Sequence, residues 1–407
     1  MMDVTIVGGG MVGASLAVAL APLGLKVALV EAIPHGSGSQ PSFDERTTAL
    51  SNGSRRILET LGVWSEVSSS ATPICRIHVS DQGRFGFARI DAAEQGLEAM
   101  GYVVPNRALG EALWSRLARH AHVQIYCPAQ VSRIAAGEQA VGLEIAQGGA
   151  TAGIDTRLIV AADGAQSAVR SAFGVDAESR DYEQTAVITT VLPQRFHDHV
   201  AYERFTRSGP LALLPLEGGR CALVLTLSRG TADAAMAWTD AEFLAEVQGR
   251  FGFRLGRFLK VGRRAAYPLS ITRAAHTSAG RCVIVGNAAQ GLHPVAGMGF
   301  NLGLRDVASL AELIAEHRHE PQFDAGTAAL LAEYDAWRAA DRGGVIAFTD
   351  GLVRLFANPL RVVQRLRNAG LLAFDLLPPA KAALSRLSTG AGAGTRVPKL
   401  ARGVALR

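Results

Sequence analysis

Three glycines near the N-terminus, Gly8, Gly10 and Gly13, have the GxGxxG spacing of a phosphate-holding loop. Glycines at these positions allow a tight turn, a close approach of the backbone to a pyrophosphate, and close helix–strand contact. A helix predicted to begin at Met11 would point its first amides, including that of Val12, at the phosphates. Because the pattern lies between two short apolar strands, it predicts a βαβ unit that binds a dinucleotide cofactor.

An acidic residue stands where such a cofactor needs one. Glu31 ends the second strand of the unit, about 20 residues after the glycines, where a carboxylate can accept hydrogen bonds from both hydroxyls of an adenosine ribose. The complete order of strand, turn, helix, strand and acid makes the pattern more specific than an isolated glycine loop.

Two further loops with chemical potential each follow an apolar, buried-type strand. Asp163 and Gly164 come directly after the run 157–162, and the glycine-rich segment 286–303 follows the run 281–285. Ligands of an open parallel sheet bind beyond the carboxyl ends of its strands, so we expect all three loops to converge on one extended cofactor. The sequence contains only one complete GxGxxG fingerprint, which argues against a permanent second site for a nicotinamide cofactor.

Two His-x-His sequences, at 197–199 and 317–319, have a spacing that occurs in metal sites. Further ligands at fitting positions are missing from the sequence, so we predict solvated loop histidines and no metal site.

The elements that must position these residues predict an α/β protein of at least two domains, because 407 residues exceed what one hydrophobic core usually supports. Helical spacing occurs at 55–64 and 105–120, and residues 75–81 and 85–90 alternate like a hairpin. Residues 185–273 instead contain long half-buried strands, which predicts a mainly antiparallel sheet inserted into the nucleotide domain. The predicted domains are listed here: 1–74, 100–180 and 278–340 for the nucleotide-binding domain; 75–99 and 181–277 for the substrate domain; 341–407 for a C-terminal helical region with a basic tail.

Cysteine usage and charge limit the setting and the partners. Four scattered cysteines form no CxxC pair or disulfide-like framework, which indicates a reducing, cytoplasmic location. Apart from the N-terminal unit, no segment has roughly 18 uninterrupted apolar residues, so a soluble or peripheral protein is expected. From Arg354 onward there are ten Lys or Arg residues against one acid, Asp375. Such a tail suits an anionic membrane surface or a partner protein; the chain has no nucleic-acid module, so nucleic acid is not an expected partner. The stretch 389–395 is predicted to be a Gly/Ala-rich tether, and Pro359 a helix break.

The loop sequences carry a specific resemblance. Residues 160–167 around Asp163-Gly164, and residues 286–301 with their glycines and His293-Pro294, resemble the single-component, FAD-dependent aromatic hydroxylases of the p-hydroxybenzoate hydroxylase-like superfamily. The segments 43–50, 101–107 and 202–216 resemble the ubiquinone-biosynthesis branch of that family. The likeness covers almost the whole chain and fades after about residue 385.

The resemblance implies a fold and a set of cofactor contacts. It implies a glutathione-reductase-like FAD-binding Rossmann domain with the inserted sheet and C-terminal helices. Its implied roles are: Glu31 at the adenosine ribose, Arg46 and Arg107 beside the phosphates and ribityl chain, Asp163 at the pyrophosphate, Gly297 and Gly299 along the isoalloxazine, and Pro294 at its reactive edge. Gly164 and Asn301 complete the predicted cofactor set together with Gly8, Gly10, Met11, Val12 and Gly13. Asn287 stands where the wider family usually has Asp, so a hydrogen-bonding group without negative charge would face the ribityl chain.

The implied chemistry is hydroxylation of a polyprenylated phenol. NAD(P)H would reduce FAD transiently, O2 would add at the flavin C4a carbon, and the resulting hydroperoxide would transfer oxygen to the ring. His293 is a candidate for a proton relay or a hydrogen bond to the phenol, and equally a structural histidine. Tyr202 and Arg204 share one side of a strand that faces either the pocket or solvent. Leu214 and Leu216 are candidates for contact with the prenyl chain, or for ordinary core packing.

Three other interpretations stay open at this stage. The flavin could serve hydroxylation of a small soluble phenol, or reduction of a prenyl double bond. The chain could instead be a flavin-stabilised scaffold in a quinone-biosynthesis complex. A peripheral contact with the inner membrane fits hydroxylation of a polyprenylated phenol, because that substrate is a lipid.

Overall fold

The computed structural model describes residues 1–37, 46–294, 297–358, 360–389 and 396–406. Pro359 and residues 390–395 of the predicted tether lie outside the described residues, as do residues 43–45 and 295–296 of the segments that carry the resemblance. The strands are β1 (Met2–Val7), β2 (Val27–Val30), β3 (Thr47–Ser51), β4 (Thr72–Ile74), β5 (Arg76–Asp81), β6 (Phe87–Asp91), β7 (Gly101–Pro105), β8 (Gln124–Tyr126), β9 (Gln130–Ala136), β10 (Val141–Gln147), β11 (Ala150–Ala161), β12 (Ala177–Pro193), β13 (Val200–Thr206), β14 (Gly209–Pro215), β15 (Cys221–Ser228), β16 (Phe258–Val261), β17 (Ala265–Ala274), β18 (Ser278–Ala279), β19 (Cys282–Ile284) and β20 (Gln290–Gly291). The helices are α1 (Met11–Leu20), α2 (Asn52–Thr60), α3 (Trp64–Val67), α4 (Asn106–Ala118), α5 (Ala168–Ala172), α6 (Arg229–Ala237), α7 (Asp240–Phe251), α8 (Met298–His317), α9 (Ala328–Ala357), α10 (Arg361–Leu376) and α11 (Pro378–Thr389).

The first sheet has a parallel centre, as the buried apolar strands predict. β1 pairs in parallel with β2 and with β11, β11 pairs in parallel with β19, and β2 pairs in parallel with β8. β11 is longer than the predicted strand because its first part pairs antiparallel with β10, whereas its last residues join β1. Helices α1, α4 and α8 pack on one face of the sheet and form the main apolar core with it. Helix α1 lies between the sheet and its neighbouring helices, so residues 13–20 are all buried. The predicted α/β nucleotide fold is confirmed.

The second sheet is mainly antiparallel and contains β12 to β17 together with β5, β6 and β20. The predicted hairpin of residues 75–90 is present as β5 and β6, and β5 pairs in parallel with β13. β12 begins at Ala177, before the predicted domain boundary at residue 181, and the domain boundaries themselves stay predictions. The pairing of β17 with β20 joins this sheet directly to the glycine-rich segment that begins at Gly286.

Two helices in the second sheet's region were missing from the sequence analysis, which found only strands between residues 185 and 273. Helix α7 begins with a capping box, in which Thr239 and Glu242 bond each other's backbone amides. Its buried residues Phe243, Val247 and Phe251 recur every four positions and pack on the sheet. This signal was present in the sequence, but the surrounding strand pattern obscured it.

The C-terminal region is helical, as predicted. A small third sheet of β3, β4 and β7 lies beside it, and the apolar cluster around β4 and β7 includes Phe374 of α10 and Leu384 of α11. Among the helices of the described residues, none combines the length and the apolarity needed to cross a membrane.

Candidate active site

The three predicted loops meet at one cavity. β1, β11 and β19 run parallel, so the loops that follow their carboxyl ends open at the same edge of the sheet. A cavity of about 750 Å³ lies at this edge, and its walls combine residues from every one of the three loops. Ten of the cofactor residues predicted from the sequence line the cavity: Gly8, Gly10, Met11, Val12, Glu31, Arg46, Asp163, Gly164, Asn287 and Gly299. The expected convergence of the loops is therefore observed.

The glycine turn is shaped by close backbone packing. Gly8 has φ +105°, and a Cβ there would overlap the carbonyl oxygen of Ala162 at the end of β11. A Cβ on Gly13 would overlap the carbonyl oxygen of Gly8. Larger residues would push α1 away from the strands, so these two glycines bring the first turn of α1 to the cavity wall.

Glu31 lines the cavity, and backbone amides hold its carboxylate. It is buried, with 6 % exposure, and its Oε2 accepts from the amide of Gly9 while its Oε1 accepts from the amide of Ile33 at 2.7 Å. Both amides come from loops that line or flank the cavity. The backbone therefore orients the carboxylate.

Asp163 has one oxygen that protein groups leave unsatisfied. Its Oδ2 accepts from the amide of Val169 at 3.2 Å, close to the start of α5. Its Oδ1 is buried and has no hydrogen-bond partner within the described part of the chain. A buried carboxylate oxygen without a donor is costly, so this position fits a ligand that supplies a hydroxyl or an ordered water.

Asn287 lies on a short turn that buried side chains hold from behind. The amide of Gly286 donates to Asp306 Oδ2 at 3.1 Å, and Arg170 Nη1 donates to the carbonyl of Ala288 at 2.7 Å. Asn287 itself is exposed to the cavity. The turn therefore presents one polar side chain at a position set by two charged groups.

Comparison with known proteins now identifies the family. The sequence pattern of the FAD-binding domain family matches residues 1–349. The ubiquinone hydroxylase UbiL of Rhodospirillum rubrum is 38% identical over 99% of this chain and 93% of that protein. The 3-demethoxyubiquinol 3-hydroxylase of Escherichia coli is 32% identical over 92% of this chain and 94% of that protein.

The chain belongs to the FAD-binding domain family. These matches confirm the predicted FAD-dependent aromatic monooxygenase family and FAD as its cofactor. Among solved structures, p-nitrophenol 4-monooxygenase PnpA from Pseudomonas putida has a TM-score of 0.78 and covers 96% of this chain and 98% of its own, at 20% identity. That likeness supports the fold.

The cavity fits FAD. The glycine turn leaves room for a pyrophosphate against the first amides of α1, and that first turn contains no acidic residue to repel it. Glu31 and Asn287 both line the cavity from different loops, so each loop supplies a separate polar side chain to it. The free Oδ1 of Asp163 lies between the strand ends and can accept from a hydroxyl of the cofactor.

Two arginines predicted beside FAD lie in different places. Arg46 lines the cavity, and its guanidinium carbon lies 4.5 Å from the ring centroid of Tyr267 on β17, so it connects the FAD cavity to the substrate sheet. Arg107 is outside the cavity lining, where its exposed side chain pairs with Glu111 at 3.2 Å on α4. Its role at the cofactor stays a prediction.

The remaining predicted residues of the glycine-rich segment lie beside the cavity lining. Gly297, with φ +60°, precedes α8, and a Cβ there would lie 3.2 Å from that of Ala49. Asn301 is buried and donates to the carbonyls of Ala49 and Gly297 at 2.8 and 2.7 Å, while accepting from the amide of Ser51. Asn301 therefore connects α8 to β3, and its side-chain amide forms its hydrogen bonds with the protein backbone.

His293 and Pro294 also lie outside the lining of the FAD cavity. His293 is buried and packs edge-on against Tyr182, with ring centroids 5.2 Å apart, and burial lowers its pKa to about 4. Pro294 is exposed. The imidazole is therefore neutral at pH 7, when it can accept or donate one hydrogen bond.

The four candidate substrate residues divide between two faces of the second sheet. Tyr202 packs on Phe251 of α7, with ring centroids 5.3 Å apart, and Arg204 donates to the carbonyl of Arg250 at 2.8 Å. Both face the helix-covered side, so neither of the two alternatives considered for them, pocket or solvent, describes their surroundings. Leu214 and Leu216 instead join the apolar cluster that contains Ala49.

The two His-x-His sequences differ in their surroundings. His197 is buried, with 1 % exposure, and its Nε2 lies 2.9 Å from the carbonyl oxygen of Leu216, so the prediction of a solvated histidine was wrong there. His317 contacts Glu320 and Glu333 on the surface. Within the described residues no group of three or more His, Cys, Asp or Glu side chains is placed to hold a metal ion.

Sequence reasoning missed two parts of the site. Residues 130–134 of β9, including Ser132 and Arg133, form a wall of the cavity, and no sequence motif marks them. Asp306 behind the Gly286 turn was also missed. Its signal was the charged pair Arg305-Asp306 inside an otherwise apolar helix, a position at which charges must be paired.

Proposed function

We propose that this chain is an FAD-dependent monooxygenase of ubiquinone biosynthesis that hydroxylates the aromatic ring of a polyprenylated phenol, with NAD(P)H as reductant and O2 as oxidant. The relatives named ubiquinone hydroxylases support the pathway. The observation that most supports a lipid substrate is the apolar cluster of Leu214 and Leu216, which reaches Ala49, the residue packed against Gly297 beside the FAD cavity.

The cavity residues divide the work of holding FAD. Glu31 accepts from the ribose hydroxyls, the first amides of α1 and the Arg46 guanidinium face the pyrophosphate, and Asp163 Oδ1 accepts from a neighbouring hydroxyl. Asn287 bonds the ribityl chain without adding a negative charge. When bound, FAD would supply the redox chemistry: NAD(P)H would provide two electrons, one oxygen atom of O2 would enter the phenol, and the other would leave as water.

The substrate side of the site must orient the phenol ring and keep water out. Leu214 and Leu216 pack with the buried Val103 in one apolar cluster, and we infer that this cluster borders the phenol and keeps water from it. His293 is neutral at pH 7 and is the proposed hydrogen-bonding partner of the phenol, with Pro294 beside it. The scattered free cysteines suit catalysis in the reducing cytoplasm, at the surface of the membrane that holds the quinone.

The decisive experiment combines cells and purified enzyme. Cells that lack this chain should accumulate a polyprenylated phenol one oxygen atom short of its successor, as measured by lipid mass spectrometry. The purified enzyme should bind FAD and consume O2 and NAD(P)H only when that phenol is present. Unchanged ubiquinone levels, or a product reduced in its prenyl chain, would contradict the proposal.

A variant without flavin separates catalysis from assembly. Gly13→Val would push α1 from the strands and prevent FAD binding, because its side chain would overlap the Gly8 carbonyl. We expect it to leave the deletion strain uncomplemented. If it restored ubiquinone without FAD, the chain would be a scaffold and the catalytic proposal would fail.

A further inference from the structure

Helix α10 is mounted on the protein by its polar side. Arg367 and Asn368 are buried, with 8 % and 3 % exposure, and both bond Asp81 at the end of β5. Arg367 Nη1 also donates to the carbonyls of Leu355 and Phe356, both at 3.0 Å. An ordinary surface helix buries mainly apolar side chains, whereas the inward side of α10 combines these polar groups with Phe374.

The outward side of α10 carries an apolar strip along its length, with the exposed Arg365 at its border. Val362 and Leu366 are each 68 % exposed and Leu376 is 78 % exposed, and Ala369 and Ala373 fill the positions between them at helical spacing. Leu360 and Leu377, at 63 % and 53 %, extend the strip at both ends. Such a continuous apolar surface is typical of an interaction site. These seven residues are called the outer strip below.

The exposed charged residues of the segment that contains the outer strip are basic. Arg365 on α10 and Arg386 on α11 are exposed, and Arg354 is exposed although it pairs with Asp350. Between residues 354 and 386 the sequence has one acid, Asp375, which is largely buried and bonds Arg89 and Lys381. Arg365 therefore places positive charge at the border of the strip, and residues 354–386 add no exposed carboxylate.

We propose that the outer strip docks on an anionic lipid bilayer, with α10 lying in the plane of the interface. An apolar helix side bordered by arginines matches acyl chains bordered by anionic headgroups. A second copy of the chain fits less well, because a symmetric contact would bring Arg365 close to its own copy. This inference rests on the proposed function only for the nature of the substrate, a membrane lipid.

The position of α10 also suits delivery of that lipid. Phe374 of α10 and Leu384 of α11 belong to the same apolar cluster as Leu214, Leu216 and Ala49. Apolar side chains thus continue from the docking helix to the neighbourhood of Gly297, so a bound membrane would lie at the substrate side of the FAD domain.

The test is vesicle flotation of the FAD-loaded protein, with vesicles of phosphatidylcholine alone or with about 30 mol % phosphatidylglycerol. We expect wild type to float with the anionic vesicles and less with neutral ones. Leu366→Gln with Leu376→Gln should weaken binding by at least about tenfold, because two exposed leucines no longer enter the apolar region. Arg365→Gln should weaken binding to anionic vesicles only.

The matched control removes equally exposed apolar side chains elsewhere. Phe253→Gln with Leu259→Gln, on β16 and the loop before it, should bind vesicles like wild type. Equal FAD content and circular dichroism show that each variant is folded. The proposal would be overturned if wild type remained in the bottom fraction of the gradient, or if the strip variants floated like wild type. It would also be overturned if wild type were a dimer that the strip variants convert to a monomer. The vesicles contain no phenol, so this outcome is independent of the proposed reaction.

Discussion

At the scale of single residues, Glu31 combines orientation with charge. Its carboxylate is fixed by the amides of Gly9 and Ile33, so it loses little side-chain freedom when a ribose binds. We expect Glu31→Ala to raise the Kd for FAD by about 10- to 100-fold, because the variant loses charge-assisted hydrogen bonds to the ribose. Flavin fluorescence titration of apoprotein measures this. Glu59→Ala, an exposed acid on α2, is the control and should leave the Kd unchanged.

A second acid, Glu203, lies within the substrate sheet. It stands between Tyr202 and Arg204 on β13, so alternation places its side chain on the opposite side of the sheet from α7. Burial raises the pKa of Glu203 from 4.5 to about 7. Sequence reasoning had no means of selecting this residue, because its burial comes from other elements.

The raised pKa of Glu203 has a defined effect on stability. The Glu203 carboxyl binds a proton more tightly in the folded protein than in the unfolded chain. The contribution of this proton to the free energy of unfolding is therefore complete below pH 4.5 and is lost as the pH rises through 7. Glu203→Gln should therefore be more stable than wild type at pH 8 by up to about 3 kcal/mol, and this advantage should shrink towards pH 5.

Urea unfolding at pH 5 and pH 8 measures that difference. Glu217→Gln, in the exposed turn between β14 and β15, is the control and should show no such change between the two pH values. An advantage of Glu203→Gln that is the same at both pH values would mean that the effect is packing and not ionisation.

At the scale of elements, α8 and α9 are joined by buried ion pairs behind the Gly286 turn. Asp306 contacts Arg338 Nε at 2.8 Å, and Asp341 contacts both Arg338 and Arg305, at 2.6 and 2.7 Å. Burial would lower the pKa of Arg338, but Asp306 and Asp341 raise it above its usual value. Asp306 also holds the Gly286 amide, so the helix pair and the FAD turn share one carboxylate.

Replacing one partner of the Asp306–Arg338 ion pair should destabilise the protein strongly, because the other charge stays buried. We expect Arg338→Met to destabilise the protein by about 3–5 kcal/mol, because it leaves a buried carboxylate uncompensated. Asp306→Asn should have a similar cost and should also weaken FAD binding, since the turn loses a charged acceptor. Urea unfolding and FAD titration measure the two effects.

The double variant Asp306→Asn with Arg338→Met completes the cycle. Its destabilisation should be smaller than the sum of the two single effects, because neither charge is left alone. Additive effects would show that Asp306 and Arg338 contribute independently, in contradiction to the coupling inferred from their contact.

At the scale of the whole molecule, the Arg367–Asp81 pair connects the C-terminal helices to the substrate sheet across 286 residues of sequence. Asn368 adds a further bond, because its Oδ1 accepts from the amide of Gly86 at 3.0 Å. Arg367→Met leaves Asp81 buried without its charge partner, so α10 should detach more often.

Limited chymotrypsin digestion with mass spectrometry measures that detachment. Cleavage near residues 355–360 should accelerate by at least about tenfold in Arg367→Met, while FAD content stays constant. Arg365→Met, on the exposed side of the same helix, is the control and should be cut like wild type. Equal cleavage of both variants would contradict an anchoring role for Arg367.

The sequence by itself determined the parts of this protein that depend on neighbouring residues. The strands β1, β2, β11 and β19 were predictable because buried parallel strands are short apolar runs, and the cavity loops follow them directly. Gly8 and Gly13 were predictable because only glycine permits the backbone contacts that the turn requires.

Only the tertiary structure decided which side each element turns to its neighbours. The helical spacing of α10 does not reveal that its polar side is buried, because Asp81 lies far away in the sequence. Likewise, α7 covers Tyr202 and Arg204, and the buried His197 contacts the carbonyl of Leu216, just after β14. Periodicity defines an element and its two sides, but the choice between core, solvent and partner depends on contacts between distant residues, which exist only once the chain has folded.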